Sequence, residues 1–274
     1  MSERVIVRPV EEETFEVGRS VQRIDGLGKV TGKTTFASDL TLPRMLHGKY
    51  LRSPLPHARI ARLDTSAAQS LKGVRAVMTA KDVPGRNRYG LAILDQPVLA
   101  DDRVRYIGDP VALVAAEEEE IAEEALERIV VEYQALPAVF SPEEALKEGA
   151  PQIHESGNLV LHFKIRKGDV ETGFGQADVI VENTYKTHRV YHAYLETEAG
   201  IADMDSQGNL TLWSGTQYPI LTRRQVAQAL GIPENTVRII QPPMGGGFGG
   251  KDDLTVEIGI ALLDREVEIG RAHV

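Results

Sequence analysis

The sequence predicts a mixed α/β (α+β) protein, because strand patterns and helix patterns alternate along most of the chain. A chain of 274 residues is long enough for two modest domains, and a hydrophobic content of 42% can supply their cores. A stretch that contains Pro and Gly follows the first group of elements at 137–157. We therefore expect an N-terminal arm over 1–20, a first domain over 21–145 and a second domain over 146–267.

The first domain opens with a strand–helix–strand pattern. Residues 60–63 fit a strand, and residues 74–78 fit a second one. Between them, Ser66 is a suitable N-cap for a short helix through Leu71, and Gly73 is suited to end it.

The same pattern returns with a stronger signal. Residues 111–115 form an apolar run typical of a buried strand, and residues 130–133 fit the strand that follows. The helix predicted between them begins with four glutamates, 117–120, which suit the positive end of a helix dipole better than they indicate an acidic docking patch. One face of this helix is apolar: Ile121, Ala122, Ala125, Leu126 and Ile129.

The second domain combines strands with one long helix. Strand patterns lie at 178–188, 199–205, 210–214 and 236–241, and a helix pattern lies at 218–230. In the linker before this domain, residues 141–144 (SPEE) begin a short helix pattern. Residues 206–209 (SQGN) indicate a hairpin turn between two of the strands. Pro219 suits the first turn of the long helix, and Gly231 suits the position just after its end.

The last seven residues, 268–274, follow the final helix pattern without a capping signal. We interpret them as a non-native tail, so the natural chain is expected to continue. A short native tail is the alternative.

Composition excludes several classes of function. The net charge is −9 and basic residues form no stripe, which argues against a nucleic-acid partner. No apolar run approaches the roughly 20 residues of a membrane span, and the N-terminus lacks the pattern of a signal peptide. We therefore expect a cytoplasmic protein. The chain has no cysteine, so it carries neither disulfides nor thiolate-bound zinc or iron–sulfur clusters.

The most informative segment is MGGGFGGK at 244–251, where five of six consecutive residues, 245–250, are glycine. Glycine permits positive φ and a close approach of the backbone to a bound group. A strand pattern precedes the segment and a helix pattern follows it. This context predicts a cradle for a large polar cofactor.

Two common phosphate-binding patterns also fit this segment. Gly245, Gly250 and Lys251 match the P-loop, but Asp252 stands where that motif needs Ser or Thr to hold Mg²⁺. Gly245, Gly247 and Gly250 match the dinucleotide fingerprint. A nucleotide-binding module therefore stays open as an alternative.

A metal site is a weaker possibility. His188, His192 and Glu196 would share one face of a helix. The neighbouring Val, Tyr and Thr residues favour extended structure, which would separate them. We therefore predict no metal ligand in this chain and expect His192 to be a structural histidine.

The glycine segment resembles the molybdopterin-contacting loop of the xanthine dehydrogenase/aldehyde oxidase family, the molybdenum hydroxylases. The resemblance runs from about residue 18 to about residue 263. Further motifs in the family's order carry it: 25–39, LRSPLPHARI at 51–60, VRYIGDPVA at 104–112, HAYLE at 192–196 and WSGTQ at 213–217.

The resemblance implies an aldehyde oxidase/xanthine dehydrogenase a/b hammerhead domain, followed by the first part of a molybdopterin-binding domain. It implies oxidative hydroxylation of a heterocycle or an aldehyde, with water as the oxygen source. The cofactor would be molybdenum–molybdopterin, with the cytosine dinucleotide form as one option. Iron–sulfur and FAD subunits would carry [2Fe–2S] clusters and FAD as partners in a hetero-oligomer.

The resemblance also assigns residues. Phe248 and Gly249 would lie closest to the metal's oxygen ligands, and Gly246, Gly247 and Gly250 would shape the turn. A core anchor is the alternative for Phe248. Asp252 would bind substrate, and an acid at a helix N-terminus is its alternative.

One position departs from the family pattern. Val190 stands where the family often has a glutamine that contacts the molybdenum oxo group. The family's catalytic glutamate lies further downstream than residue 274, so we expect no catalytic residue here and an inactive isolated fragment. A non-catalytic assembly protein of the same fold is a further alternative.

Overall fold

The computed structural model describes residues 17–18 and 20–267, together with the backbone of residues 272–273. Most of the predicted arm (1–20) and of the predicted tail (268–274) lies outside these residues. The chain divides into two units, 1–35 and 36–274. In the first, a short helix α1 (Gly26–Val30) follows Asp25, whose carboxylate pairs with Lys29 at 2.7 Å.

The second unit contains two sheets. A three-stranded antiparallel sheet has the order β4–β2–β6, from Arg103–Val104, Ala58–Asp64 and Val130–Ala135. The larger sheet has the order β3–β5–β1–β10–β7–β8–β9. Its strands are Val74–Thr79, Pro110–Ala116, Leu46–Arg52, Ala272–His273, Gly200–Met204, Leu210–Ser214 and Val237–Ile240. Its β1–β10 and β8–β9 pairs are parallel, and its other pairs are antiparallel.

Strand β5 is buried along its whole length, as its apolar run predicts. Helix α3 (Glu119–Glu127) packs its predicted apolar face on it, with Ala122 and Ala125 fully buried. Strands β5 and β6 belong to different sheets, so α3 carries the chain from one sheet to the other. The strand–helix–strand patterns are therefore correct as elements but do not form parallel crossover units.

Two short helices show how the chain caps its helices. Helix α4 (Pro142–Ala145) is capped by Ser141, whose hydroxyl accepts the Glu144 N–H at 3.1 Å. Helix α2 (Ser66–Gln69) differs, since Ser66 lies inside the helix and Thr65 is the N-cap residue. The carboxylate of Asp64 accepts the Ser66 N–H at 3.0 Å, so the prediction for Ser66 was wrong by one position.

The second group of elements is a hairpin, a helix and a parallel strand. Strands β7 and β8 form the predicted hairpin, and the carboxylate of Asp205 orders its turn by accepting the Asn209 N–H at 2.8 Å. Helix α6 (Pro219–Leu230) ends at Gly231, which has a φ of +64°. Helix α7 (Glu257–Glu266) is buried from Glu257 to Asp264 and packs on α6, β7 and β8.

Between these groups lies a segment with a different character. All residues from 159 to 193, called here the exposed segment, are solvent-exposed, and their only helix is α5 (Val170–Gly175). The strand predicted at 178–188 is absent, so that prediction was wrong. A strand needs partners for its N–H and C=O groups, and none of the described residues pairs with this stretch.

None of the helices in the part of the chain that the structure describes is long and apolar enough to cross a bilayer. The cytoplasmic location stays a prediction.

Candidate functional site

The glycine loop (residues 244–251) lies at the carboxyl end of the larger sheet's last two strands. Strand β9 leads into it. Strand β8 runs parallel to β9 and ends at Ser214, and residues 215–217 follow it. The carboxyl ends of parallel strands meet at one sheet edge, where open α/β sheets commonly bind ligands. The topology therefore brings two of the sequence motifs, at 213–217 and 244–251, to the same place.

Close packing explains several glycines of the loop. A Cβ on Gly247 would lie 2.4 Å from Oε1 of Gln217, and one on Gly250 would lie 2.6 Å from the Tyr194 ring. Gly246 and Gly249 have φ angles of +110° and +88°, which side chains other than glycine rarely adopt. At Gly249 the nearest atom to an added Cβ would be 4.0 Å away, so the loop is open there. One side of the loop is packed against neighbouring residues, and its tip is exposed to solvent.

Phe248 stands at that tip. Its φ is +51°, a left-handed conformation that costs a residue of this size on the order of 1 kcal/mol or more, and its side chain is 76% exposed. An exposed ring does not anchor a loop to a core, so the structure contradicts that alternative. Strained residues of this kind cluster at ligand sites, where the surrounding structure holds them.

Lys251 has an internal partner. Its side chain is 2% exposed, and Nζ lies 2.6 Å from Oε2 of Glu196 and 4.9 Å from the centroid of the Tyr194 ring. A P-loop lysine must reach phosphate oxygens instead. The glycine loop also does not lead directly into a helix, since α7 begins only at Glu257. The first observation contradicts the P-loop pattern, and the second contradicts both nucleotide-binding patterns.

Family models match most of the chain. The Aldehyde oxidase and xanthine dehydrogenase, a/b hammerhead domain matches residues 31–137, and the Molybdopterin cofactor-binding domain matches residues 153–271. The chain belongs to the xanthine dehydrogenase/aldehyde oxidase family.

Curated relatives agree with this assignment. A probable xanthine dehydrogenase subunit of Bacillus subtilis (strain 168) is 51% identical over 241 residues, which are 88% of this chain and 32% of that protein. The nicotinate dehydrogenase large molybdopterin subunit of Eubacterium barkeri is 44% identical over 90% of this chain and 58% of its own length. The chain thus spans about a third and somewhat over half of these relatives.

Solved structures share the fold. Quinoline 2-oxidoreductase from Pseudomonas putida 86 matches with a TM-score of 0.84 and 34% identity, over 93% of this chain and 34% of its own. The Cu,Mo-CO dehydrogenase matches with a TM-score of 0.80 and 32% identity, over 93% and 35%. The expected fold class, a mixed fold that begins with a hammerhead domain, is confirmed.

Within this family fold, a glutamine does contact the glycine loop, but it is Gln217. Its Oε1 accepts the N–H groups of Gly249 at 3.0 Å and Lys251 at 3.2 Å, and its backbone N–H donates to the Lys251 carbonyl at 2.8 Å. Val190, where the resemblance placed a glutamine, is 77% exposed in the exposed segment. Sequence reasoning missed the contact of Gln217 with the loop. It depends on the parallel pairing of β8 and β9, which places Gln217, three residues after the end of β8, beside the loop.

The resemblance implies that Gly249 lies beside the metal's oxygen ligands. In this structure the Gly249 N–H has an acceptor within the protein. The Gln217 side-chain carbonyl oxygen takes that hydrogen bond. A bound oxygen at this position would have to share the N–H or displace the Gln217 side chain.

Asp252 is half-buried directly below the loop tip. Its carboxylate is the nearest group to the open side of Gly249, and its N–H donates to the Gly249 carbonyl at 3.4 Å. The alternative role at a helix N-terminus was wrong, because Glu257 performs it. Oε2 of Glu257 accepts the N–H groups of Thr255 and Val256 at 2.9 and 3.1 Å, while Oε1 accepts the Ser214 hydroxyl at 2.7 Å.

Two carboxyl groups near the loop are partly buried. Burial raises the pKa of Glu198, and its Oε1 accepts the Tyr194 hydroxyl at 2.5 Å. Burial likewise raises the pKa of Asp253, next to Asp252 in the chain. Groups near the loop are therefore partly shielded from solvent, which strengthens polar contacts to a bound molecule.

The histidine-based metal site does not assemble. His192 is exposed, with its ring against Gly250, so it is not a buried structural histidine either. The carboxylate of Glu196 is committed to Lys251. Over 20–267, no group of three or more residues of the ligating types lies close enough to hold a metal ion.

The loop fits the cofactor that the family model names. A packed floor, the exposed Phe248 ring and the open backbone at Gly249 let a flat polar group approach the tip of the loop. Gly246, Gly247, Phe248, Gly249 and Gly250 are the residues that would hold it.

Proposed function

We propose that the chain supplies the glycine-loop part of the cofactor site in the large subunit of a molybdenum hydroxylase. The reaction is oxidative hydroxylation of a heterocycle or an aldehyde, with water as the oxygen source. The observation that carries this proposal is the glycine loop itself, with its packed floor, its bare tip and Phe248 held in a left-handed conformation. The names of the relatives, which include xanthine and nicotinate dehydrogenase subunits, support the same class.

The bound molybdenum–molybdopterin group would supply the oxidation chemistry, and this chain would orient it. Gly246, Gly247 and Gly250 shape the turn. The exposed Phe248 ring and the Gly249 backbone form the contact surface, with Gln217 beneath them. These are positioning roles, and we assign no catalytic residue within the chain.

Asp252 is the proposed substrate contact. Its carboxylate lies below the open side of Gly249, from where it can accept a hydrogen bond from an N–H of a heterocycle. An aldehyde offers no such donor, so this contact would favour nitrogen heterocycles.

We further propose an iron–sulfur subunit with [2Fe–2S] clusters and an FAD subunit as partners in a hetero-oligomer. Electrons from substrate oxidation need acceptors, and a chain without cysteine cannot bind such clusters through thiolates. The Bacillus subtilis and Eubacterium barkeri relatives are described as subunits, which is consistent with an assembly. The cytosine dinucleotide form of the pterin stays one option within this proposal.

The proposed domains are a hammerhead domain over 21–145 and the first part of a molybdopterin-binding domain over 146–267. The hammerhead family model matches 31–137, inside the first of these ranges. The molybdopterin family model matches 153–271, which begins inside the second range and extends past its end.

The test is metal and pterin analysis of the protein purified from its own host with its native partners. We expect molybdenum and pterin in amounts equal to the chain, together with oxidation of xanthine, nicotinate or benzaldehyde by an artificial electron acceptor. Isotope-labelled water should place its oxygen in the product. A folded, pure protein without molybdenum or pterin would favour the non-catalytic assembly protein. Tight binding of ATP or NAD in calorimetry would favour the nucleotide-binding module.

A further inference from the structure

One carboxylate oxygen holds both ends of the glycine loop. Oε2 of Glu196 accepts the Gly245 N–H at 2.9 Å and the Lys251 ammonium at 2.6 Å. Gly245 begins the run of glycines, and Lys251 directly follows it. The backbone N–H of Glu196 also donates to the Gly245 carbonyl at 3.2 Å. Two hydrogen bonds therefore join Glu196 to Gly245 at the start of the loop.

The pair is buried and closely surrounded. The side chains of Lys251 and Glu196 are 2% and 7% exposed. A Cβ on Gly215 would lie 3.3 Å from Oε2 of Glu196 and 3.4 Å from Nζ of Lys251, and a Cβ on Gly245 would lie 2.6 Å from Cβ of Glu196. The two glycines leave room for the ion pair. In such an environment its attraction is weakly screened by solvent.

The pair accounts for the conformation at the tip. Phe248 lies midway between the two fastened ends, in a left-handed conformation that a free chain would leave. Gln217 supports the loop from the other side through the N–H groups of Gly249 and Lys251. Because both ends of the loop are fixed and its floor is supported, the tip has few alternative conformations.

We propose that Glu196 and Lys251 are positioning residues, a buried charge pair that closes the glycine loop and holds Phe248 and Gly249 in the cofactor-binding conformation. Lys251 therefore acts on the protein's own carboxylate and not on a bound phosphate. The loop-closing role stands on the geometry alone, while its consequence for cofactor retention rests on the function proposed above.

Chymotrypsin cleavage after Phe248 is the first test, because it reports the opening of the loop without any cofactor. In the 274-residue chain, K251M and the double variant E196Q/K251M should be cleaved after Phe248 at least about tenfold faster than wild type, since local proteolysis follows the population of the open form. Cleavage after Phe163 and Tyr185, 79% and 86% exposed in the exposed segment, should stay unchanged. Mass spectrometry separates these sites.

The variants differ in what they leave behind. K251M leaves a buried carboxylate without its cation, whereas the double variant removes both charges and keeps an amide oxygen for the Gly245 N–H. K251R restores a cation, so its cleavage rate should return most of the way to wild type. K49M is the matched control, since Lys49 pairs with Glu119 at 2.5 Å on the surface, with side chains 31% and 55% exposed.

Molybdenum content of the same variants, purified from the native host, is the second test. We expect K251M and E196Q/K251M to lose most of their molybdenum and K251R and K49M to keep it. Absence of molybdenum from the wild-type protein would contradict the proposed function. The cleavage result would still test the loop-closing role.

Two outcomes would overturn the proposal. One is a folded K251M or double variant in which Phe248 is cleaved at the wild-type rate. The other is failure of both variants to fold, since the pair would then serve the whole domain and not the loop.

Discussion

Strand β5 and the exposed segment contain similar apolar residues, but these residues are buried in β5 and exposed in the segment. Each residue of β5, from Pro110 to Ala116, is buried, with β1 on one side and β3 on the other. In the exposed segment, Val179 and Val181 are 78% and 76% exposed, and no strand of the described chain pairs with them. An apolar pattern therefore makes a strand only where another strand completes its hydrogen bonds.

The same contrast holds between a helix of the second group of elements and the helix of the exposed segment. Helix α7 buries eight consecutive residues, including the charged Glu257, whereas helix α5 buries none. Helix α7 approaches β1 closely, since a Cβ on Gly259 would lie 1.9 Å from the Tyr50 hydroxyl. The glycine loop lies beside this packed region, and its floor is packed against Gln217 and Tyr194.

The largest expected effect is the loss of a core side chain. L113A removes a fully buried leucine from β5 and should lower the free energy of unfolding by about 2–5 kcal/mol, through lost burial and a residual cavity. L161A, the same substitution at a residue 58% exposed, should change it by less than about 0.5 kcal/mol. Urea unfolding measures both. Similar losses for the two variants would show that the exposed segment is packed in solution.

The next effect depends on pH. Asp109 is fully buried before β5, and burial raises its pKa to about 6, although the Arg105 N–H donates to it at 2.9 Å. Because the folded pKa lies above the ordinary 3.8, ionisation destabilises the fold as pH rises from about 4 to about 6.

D109N removes this ionisation. Its free energy of unfolding relative to wild type should therefore rise by about 2–3 kcal/mol between pH 4 and pH 8. D178N in the exposed segment controls for the chemistry of the substitution. A relative stability of D109N that is constant with pH, or that falls as pH rises, would contradict the burial argument.

A smaller effect is expected in the loop floor. G247A places a Cβ 2.4 Å from Oε1 of Gln217, so the Gln217 side chain must move and its hydrogen bonds to Gly249 and Lys251 weaken. We expect a loss of about 1–3 kcal/mol in stability, together with lower molybdenum content in the native host.

The matched control is G173A in helix α5, where nothing lies within 4 Å of an added Cβ. Alanine favours helix there, so stability should stay equal or rise by up to about 1 kcal/mol. Equal behaviour of the two alanine variants would mean that the floor of the glycine loop is loose.

The smallest effect belongs to the exposed segment. V181K should change the free energy of unfolding by less than about 0.5 kcal/mol, because the valine is already exposed. Thermal unfolding at several protein concentrations measures this. A marked, concentration-dependent loss of stability would reveal that copies of the chain cover the segment.

Local signals in the sequence predicted much of the fold. Pro219 and Gly231 delimit helix α6, the turn at 206–209 joins β7 to β8, and the apolar face of α3 packs as expected. These features depend on a few neighbouring residues. The strand at 178–188 was wrong because its partner is not encoded locally.

The site was only partly predictable for the same reason. Composition located the glycine loop and Phe248, and these residues stay a prediction as cofactor contacts. Gln217 and Glu196 belong to motifs of the family resemblance, but they contact the loop from 32 and 49 residues away, at Gly249 and Gly245 respectively. No local pattern therefore predicted these contacts. The burial of Lys251 was equally hidden, because its partner is known only once the chain is folded.

Anomalous X-ray scattering at the molybdenum edge, from crystals of the protein purified from its own host with its partners, would locate the metal relative to the glycine loop. We expect a molybdenum peak beside Phe248 and Gly249, with Asp252 facing the adjoining substrate space. A molybdenum peak on a distant face, with the glycine loop contacting only protein, would contradict this expectation.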